Sequence, residues 1–562
     1  MTLTSTGDNR KQSLSDDVRE GSSSISTNVA DRSNSNHLIP LSPEQQRELE
    51  EELPEIEQEL TDSEEEDEFI RRFGDIEFQY IKPPKQSVWF RRPHALNYFK
   101  DGVLFRTKGE RTSAKTELFL DLLYVGIIAN LAGEASEEAG GKALLKYVLL
   151  FLPTWVIWAD IKDFTNYYYN EDLSQKMYIF WILALLTLYI NSHYALLNST
   201  DGAALTIVPY ILCRLSLAVS YFVYSFFIPE HRAQSRLYSA MVLVTSLCWI
   251  AVIFVPTRVK IGLAFAFLFL EQVCFSIAYH PWTKKMMNLT TSTALNIEHE
   301  VERFSSFVTI AIGEFLYKVV APGNLGVGFS AKFARGLFLL ANAYILFWIY
   351  QYGSTSNKAI HPLRHSAWTA ISWIYAHAPL IAALVLAADA GGDLASLDNT
   401  STAKHHSVSE HGKSVIFFGK EGTLSEGGEE EEKNMYALSF FYTGGICVSL
   451  VCMFILGLVE TSRDPPELFV LPKNLRIALR LPIAIIIVLL SLAELNTTLL
   501  MGLVTMLLGI LLIFESVVGT PRSCLFDSTR PKKDTNTNTN TNTNTNNDAN
   551  NNANVNTNVN SD

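Results

Sequence analysis

Apolar residues are grouped in runs of about twenty along the middle of the chain, and short polar segments separate the runs. A helix of about 20 apolar residues spans the hydrocarbon core of a bilayer, so each run predicts a membrane-spanning helix. The pattern therefore predicts an all-α fold, a polytopic transmembrane helical bundle of about twelve helices. The predicted spans are 116–134, 142–160, 177–197, 203–228, 237–256, 261–280, 302–320, 331–352, 366–388, 437–459, 476–495 and 498–518.

Both ends of the chain lack this pattern. An acidic segment precedes the spans and an Asn/Thr-rich segment follows them, and neither has enough apolar side chains to pack, so both are predicted to be disordered. The predicted organisation is a disordered acidic cytosolic tail 1–90, a basic juxtamembrane segment 91–115, a first six-helix half 116–280, a cytosolic linker 281–301, a second six-helix half 302–520 with a polar loop insert 390–434, and a disordered tail 521–562.

Lys and Arg in the short loops predict the orientation, because cytosolic loops carry an excess of both. With both termini in the cytosol, most basic loops lie on the cytosolic side, and Arg258 and Lys260 are the clear exceptions among the short loops. The sequence does not distinguish the plasma membrane from an endomembrane or vacuole. It also leaves the oligomeric state open.

Composition adds little about partners. The 562 residues are 48% hydrophobic and 18% charged, and the net charge of −13 comes from acids in the tail and one loop. We therefore expect the lipid bilayer and small ions or protons as partners, and no nucleic acid. Cysteines lie mostly inside apolar runs without a C-x-x-C spacing, so no metal site and no cofactor is predicted.

The two halves show an internal similarity. "ELFLDLLYVGIIA" from Glu117 aligns with "ERFSSFVTIAIGE" from Glu302, and the third helix of each half carries one histidine, His193 and His377. An even number of helices per half gives both halves the same orientation, so the alignment predicts a parallel repeat. The sixth helices each carry one acid near the helix end, Glu271 and Glu515, which we expect at the membrane interface.

Three segments together resemble the low temperature requirement A family. They are "TELFLDLLYVGIIANLAG", then "EHEVERFSSFVTIAIGEFLYK" with Arg303, and "YAHAPLIAALVLAADA" with His377 and Pro379. The resemblance covers roughly residues 110–520 in the expected order and implies a multi-pass membrane protein whose biochemical activity is poorly defined. The polar tails and the insert lie outside the family core, and they predict a eukaryotic, fungal- or protist-like member.

Charged residues inside the predicted spans are the candidate functional residues, because a carboxylate at mid-bilayer costs roughly 2.5–3.5 kcal/mol and must face protein or water. Glu117 and Asp121 share one helix face. Either both line a hydrated path, or Glu117 lies at the interface and only Asp121 is deep. Structural pairs across the bundle, Asp121 with Arg303 or Glu117 with Arg214, are a further interpretation.

The remaining titratable groups allow two interpretations as well. In the first, Glu314, His193 and His377 belong to a proton relay. In the second, Glu314 is protonated and has no role in transport, and the two histidines only form hydrogen bonds between helices. The aromatic residues around Trp155 and Trp158 predict an interfacial belt. The candidate ion-path residues are Glu117, Asp121, His193, Arg214, Glu302, Arg303, Glu314 and His377.

Two functional classes follow. The first is an ion channel or a proton-coupled transporter that uses these carboxylates and histidines. The alternative is a non-transporting membrane sensor or stress-tolerance scaffold, in which the charges serve only helix packing. Enzymatic activity is not expected, because the sequence contains neither H-E-x-x-H nor G-x-S-x-G.

Overall fold

The computed structural model describes part of the chain. The described residues are 78–81, 89–101, 103–107, 113–168, 172–196, 199–321, 325, 328–353, 359–397, 426–465, 468–493 and 495–522. The predicted tails lie largely outside these ranges, and so do residues 398–425 of the predicted insert.

Helices account for most of the described chain. In chain order they are α1 Lys115–Glu137, α2 Gly141–Tyr168, α3 Leu173–Ser192, α4 Thr200–Phe227, α5 Arg232–Cys248, α6 Ile250–Phe254, α7 Thr257–Tyr279, α8 Pro281–Met286, α9 Ile297–Val320, α10 Ala331–Tyr352, α11 Pro362–His365, α12 Ala367–Ser396, α13 Glu426–Val459, α14 Lys473–Ala478, α15 Arg480–Leu490 and α16 Thr497–Val518.

The predicted membrane fold is confirmed. Within the described residues, 11 helical segments are long and apolar enough to cross a membrane, and each overlaps one predicted span. In two of them a pair of helices, α5 with α6 and α14 with α15, makes one crossing. The seventh predicted span, 302–320, corresponds to α9, which is not among these 11 segments; its first turn carries Glu298 and Glu300. The duplication into two six-helix halves stays a prediction.

Several boundaries differ from the sequence expectation. α2 continues through the polar stretch to Tyr168, and α12 continues to Ser396, inside the predicted insert. α9 begins at Ile297, within the predicted linker. These helix ends are polar in sequence and are packed against protein, so hydropathy alone does not find them.

A small β-sheet was not predicted. It contains β1 Phe78–Ile81, β2 Tyr98–Lys100, β3 Val103–Thr107 and β4 Thr291–Thr293 in the order β1-β3-β2-β4. β2 and β3 are antiparallel, and the Asp-Gly sequence between them is a strong signal for a two-residue hairpin turn. Asp101 has the positive φ of 52° that such a turn needs. A second pair joins β5 Ala359–Ile360 and β6 Thr461–Ser462.

The sheet lies against the helices at one end of the bundle. We call this end, where α1 begins, the first face, and we call the opposite end, where α1 ends, the second face. β4 leads directly into α9, whose N-terminus is capped by the Asn296 side chain, which accepts from the His299 N–H at 3.2 Å. α1, α9 and α12 contact one another. Their shared core is apolar and includes the fully buried Phe304, Val308 and Leu384.

Close packing of α12 against α13 gives a first prediction. A Cβ at Gly445 would lie 2.7 Å from the Ala383 carbonyl oxygen and 2.7 Å from Ala387 Cβ, whereas a Cβ at Gly444 would meet nothing within 4 Å. We expect Gly445→Ala to lower the free energy of unfolding by about 1–3 kcal/mol through overpacking. Gly444→Ala is the matched control and should be neutral or stabilising by up to about 1 kcal/mol. Unfolding of the two purified variants in detergent measures the difference, and equal stabilities would contradict the packing argument.

Candidate functional site

Charged side chains are buried where α1, α2 and α9 meet. The Arg303 guanidinium donates two hydrogen bonds to Asp121, to Oδ2 at 2.7 Å and to Oδ1 at 2.8 Å. Trp158 Nε1 on α2 donates a third bond to Asp121 Oδ1 at 2.8 Å. All three side chains are fully buried. The structure thus confirms the predicted pairing of Asp121 with Arg303 across the two halves of the chain.

Glu117 lies one turn closer to the first face and is also buried. Its Oε2 accepts from His299 Nε2 at 3.0 Å and from the Ala114 N–H at 2.9 Å. The predicted pairing of Glu117 with Arg214 is therefore wrong. Glu302 does not enter the buried network, because its carboxylate accepts from the Ser113 N–H at 3.0 Å, beside the start of α1.

Sequence reasoning missed a second cation of this site. Lys162 follows the predicted span 142–160, but it lies on the extended α2, is fully buried, and pairs with Glu300 and with Asp163, the latter at 2.8 Å. Its ammonium also lies 4.8 Å from the Phe304 ring centroid. We call Glu117, Asp121, Trp158, Lys162, His299, Glu300 and Arg303 the junction cluster.

A second buried network surrounds Arg214. The guanidinium pairs with Asp160 and lies 3.6 Å from Glu271 Oε1. The Tyr238 hydroxyl donates to Asp160 Oδ1 at 2.9 Å, and the Tyr210 hydroxyl donates to Glu271 Oε2 at 2.6 Å. Glu271 is therefore buried and paired within the protein, and its predicted level at the membrane interface stays a prediction.

Glu515 has a similar environment in the second half. It accepts two bonds from Arg480, from Nε at 2.6 Å and from Nη2 at 2.8 Å, and Arg480 also donates to the Met453 carbonyl at 2.7 Å. Glu515 is buried within the protein near the end of α16, and its predicted level at the membrane interface stays a prediction. A guanidinium fork that holds a carboxylate with two bonds is a strong and directional pairing.

Near the second face, Glu314 has a different environment. It is half-buried on α9, one turn before Lys318, which pairs with Asp389 and lies 3.8 Å from Asp393. His193 also lies near this face, in the short 3₁₀ turn after α3, where its Nε2 is 2.7 Å from Glu134 Oε2. His193 and His377 therefore have different environments.

His377 lies about 15 Å along α12 from the first face, counting 1.5 Å per residue from Ala367. Its Nδ1 is 2.8 Å from the Trp373 carbonyl oxygen, so Nδ1 carries the proton, and Nε2 accepts from the Tyr350 hydroxyl at 3.1 Å. The Phe304 ring centroid is 4.5 Å from that of His377. The imidazole is thereby fixed in one tautomer and one orientation.

A cavity of about 230 Å³ reaches His377. It lies between α9, α10, α12, α13 and α15, and its polar lining includes Ser305, Tyr350, His361, His377, Glu460 and Arg480. His361 lies near β5, and burial lowers the pKa of its imidazole to about 4, assisted by the nearby Arg364. His361 is therefore neutral near pH 7, and its Nδ1 accepts from the Leu363 N–H at 3.3 Å.

The predicted aromatic belt is wrong for both tryptophans. Trp155 is 8% exposed and Trp158 is 0% exposed, and both pack on Phe304 and Phe307 of α9. Trp155, Phe304 and Phe307 thus form an apolar layer beside the junction cluster, and Trp158 of that cluster packs against it.

Within the part of the chain that the structure describes, eleven apolar helical segments with charges neutralised between them define a multi-pass integral membrane protein. The chain belongs to the low temperature requirement A family: the family model described as Bacterial low temperature requirement A protein (LtrA) matches residues 112–513, which contain the junction cluster, Glu314 and His377. No curated protein and no solved structure matched the chain. The eukaryotic origin expected from the tails is not borne out.

Proposed function

We propose that this protein moves protons or small cations across its membrane, as a channel or a proton-coupled carrier, with His377 and Glu314 as the groups that bind the moving ion. The observation that carries the proposal is the polar cavity that reaches His377 deep in the bundle. Proton pathways in membrane proteins are built from water-filled cavities that end at a titratable group such as an imidazole. In the predicted orientation this cavity opens to the cytosol.

Glu314 supplies the corresponding group near the other face. It lies ten residues after Phe304 on α9, about 15 Å further along the helix. The segment between them carries Phe307, Val308 and Ala311, which are fully buried. This apolar barrier separates the two polar ends, so the described conformation is closed and transport requires α9 and α12 to move apart.

The other candidate residues have structural roles in this proposal. Short, charge-assisted hydrogen bonds hold the side chains of Asp121, Arg303, Arg214 and Glu117. An ion that bound at any of them would have to displace a buried counter-charge. The junction cluster therefore holds α1, α2 and α9 together, while the path runs along α9 and α12.

The alternative is a non-transporting sensor or scaffold. It is favoured by the pairing just described, because nearly all the intramembrane charge that the structure describes is matched within the bundle. In that case the His377 side chain only links α12 to α10 through a hydrogen bond, and Glu314 belongs to the group of charged side chains around Lys318.

Flux measurements on purified protein in liposomes separate the two functions. We expect proton or potassium flux under an imposed gradient for the wild type, and at least a roughly tenfold loss for His377→Gln and for Glu314→Gln, the size of effect expected when a proton-transfer group is removed. His365→Gln and Glu138→Gln alter exposed residues outside the path and should keep the flux.

Folding of each variant is checked by its thermal unfolding midpoint in detergent. Loss of flux in a variant that folds normally supports an ion path through His377 and Glu314. Unchanged flux in both variants would exclude these two residues from it, and a well-folded wild type that conducts none of several ions over a range of pH would leave the sensor or scaffold as the function.

A further inference from the structure

Three carboxylates lie close together near the second face. Glu314 is on α9, and Asp389 and Asp393 are one turn apart on α12. The Lys318 ammonium pairs with Asp389, lies 3.8 Å from Asp393 Oδ1, and interacts electrostatically with Glu314. Among the residues that the structure describes, no other cation lies within 4 Å of these three carboxylates. One ammonium is therefore shared between three acids.

One oxygen of Asp389 has no hydrogen-bond donor. The Asp389 side chain is 2% exposed, and its Oδ1 pairs with Lys318. Its Oδ2 is buried, and no donor in the described part of the chain bonds it. A buried carboxylate oxygen normally accepts a hydrogen bond or contacts a cation, because it has lost its contact with water. Asp389 can therefore accept one more positively charged partner.

An open space lies beside both oxygens of this carboxylate. A Cβ at Gly133 of α1 would lie 3.8 Å from Asp389 Oδ1 and 3.9 Å from Oδ2, and it would meet no other atom of a neighbouring helix within 4 Å. One turn further along α1, the Ser136 hydroxyl is also buried without a partner among the described residues. The missing side chain at Gly133 leaves room for a small ion against Asp389.

Lys318 is the partner that can leave the pair. Its side chain is 18% exposed, against 2% for Asp389, and it lies in the last turn of α9. A long side chain near a helix end reaches the aqueous interface easily, and the helix dipole still favours its charge there. Its stem lies directly against α12, because a Cβ at Gly392 would be 2.7 Å from both Cβ and Cδ of Lys318.

We propose that Asp389, together with Asp393 or Glu314, binds a monovalent metal cation in exchange for the Lys318 ammonium. The exchange leaves the charge of the group unchanged, because one monovalent cation replaces another. In the described part of the chain, no three acidic, histidine or cysteine side chains are grouped to hold a metal ion, which fits two carboxylates and water better than a divalent site.

The role of this site in transport rests on the proposed function, because Glu314 belongs to both. Binding itself is measured without a membrane gradient, by thermal unfolding of the purified protein in detergent. Potassium chloride and sodium chloride are each titrated against N-methylglucamine chloride at constant ionic strength, because this organic cation is too large for the space at Gly133. An ion that binds only the folded protein raises the unfolding midpoint with its concentration, which gives an apparent Kd.

We expect potassium or sodium to raise the midpoint of the wild type. Lys318→Met should lower the apparent Kd at least roughly tenfold, because the competing ammonium is gone. Gly392→Ala should also lower it, since the added methyl group displaces the Lys318 stem without removing its charge. Asp389→Asn should abolish the ion effect in the wild type and in Lys318→Met. Lys146→Met is the matched control, because it removes an ammonium that pairs with Glu134 at the same face, and it should leave the Kd unchanged.

Equal midpoints in potassium, sodium and N-methylglucamine for both the wild type and Lys318→Met would overturn the proposal. Stabilisation by an ion that survives Asp389→Asn would also overturn it, because the ion would then bind elsewhere. If Lys318→Met yields no folded protein, Gly392→Ala decides, and ion binding no tighter than that of the wild type would contradict the exchange. A wild type that binds the ion and conducts none in liposomes keeps this site and refutes only the transport.

Discussion

Arg303→Met is expected to lower the free energy of unfolding by about 3–5 kcal/mol, because it leaves the Asp121 carboxylate buried without its counter-charge. Asp121 would keep only the Trp158 N–H as a partner. The double variant Asp121→Asn/Arg303→Met should recover most of the loss, since a neutral amide oxygen still accepts from Trp158. Denaturant unfolding of purified protein in detergent measures all three free energies.

Arg258→Met is the control for this prediction, because Arg258 is an exposed arginine in the same bundle. We expect it to change the stability by no more than about 0.5 kcal/mol. The interpretation of the pair as structural would be refuted by an Arg303→Met variant as stable as the wild type, or by a double variant that is less stable than Arg303→Met.

Arg214→Met is expected to have a still larger effect, because it leaves two buried carboxylates, Asp160 and Glu271, facing one another without a cation. The loss should exceed the roughly 3–5 kcal/mol of a single broken pair, so little folded protein should be recovered. Neutralising both acids, with Asp160→Asn and Glu271→Gln added to Arg214→Met, should restore folding. The Tyr238 and Tyr210 hydroxyls can still donate to the two amide oxygens.

Yield of monodisperse protein by size-exclusion chromatography is the measurement for the Arg214 series. Ser216→Ala, on the same helix, removes one hydroxyl whose partner is a carbonyl of its own helix, and its yield should match the wild type. Rescue by Asp160→Asn alone would show that Glu271 does not need Arg214, contrary to the network described above.

The membrane-spanning helices were predictable because the thickness of a bilayer sets the length of an apolar run. The polar end of α2, from Asp160 to Tyr168, was not, because hydropathy assumes that the surroundings of a helix are lipid or water. This segment instead packs its charges against α4 and α9, where Arg214 and Glu300 neutralise them. A polar helix end buried in protein has the same composition as a loop.

The pairing of opposite charges was predictable where the two side chains lie at the same depth in the bundle. Asp121 and Arg303 both lie about one and a half turns into their helices from the first face, and they meet. Glu117 lies in the first turn of α1, whereas Arg214 lies near the middle of α4, so their pairing fails for lack of a common depth. The sheet was missed because its strands are short, although the Asp-Gly sequence between two of them is a hairpin signal.

The Asp121–Arg303 pair also constrains how the protein is made. Its two residues are 182 positions apart, and at about 5–20 residues per second the ribosome supplies Arg303 roughly 10–40 s after Asp121. During that interval α1 has entered the insertion machinery with a carboxylate and no guanidinium to meet it. If the Asp121 carboxylate stays charged, α1 has to be retained beside the translocon until α9 arrives, and the order of synthesis then makes α1 the last helix of the first half to be released into lipid.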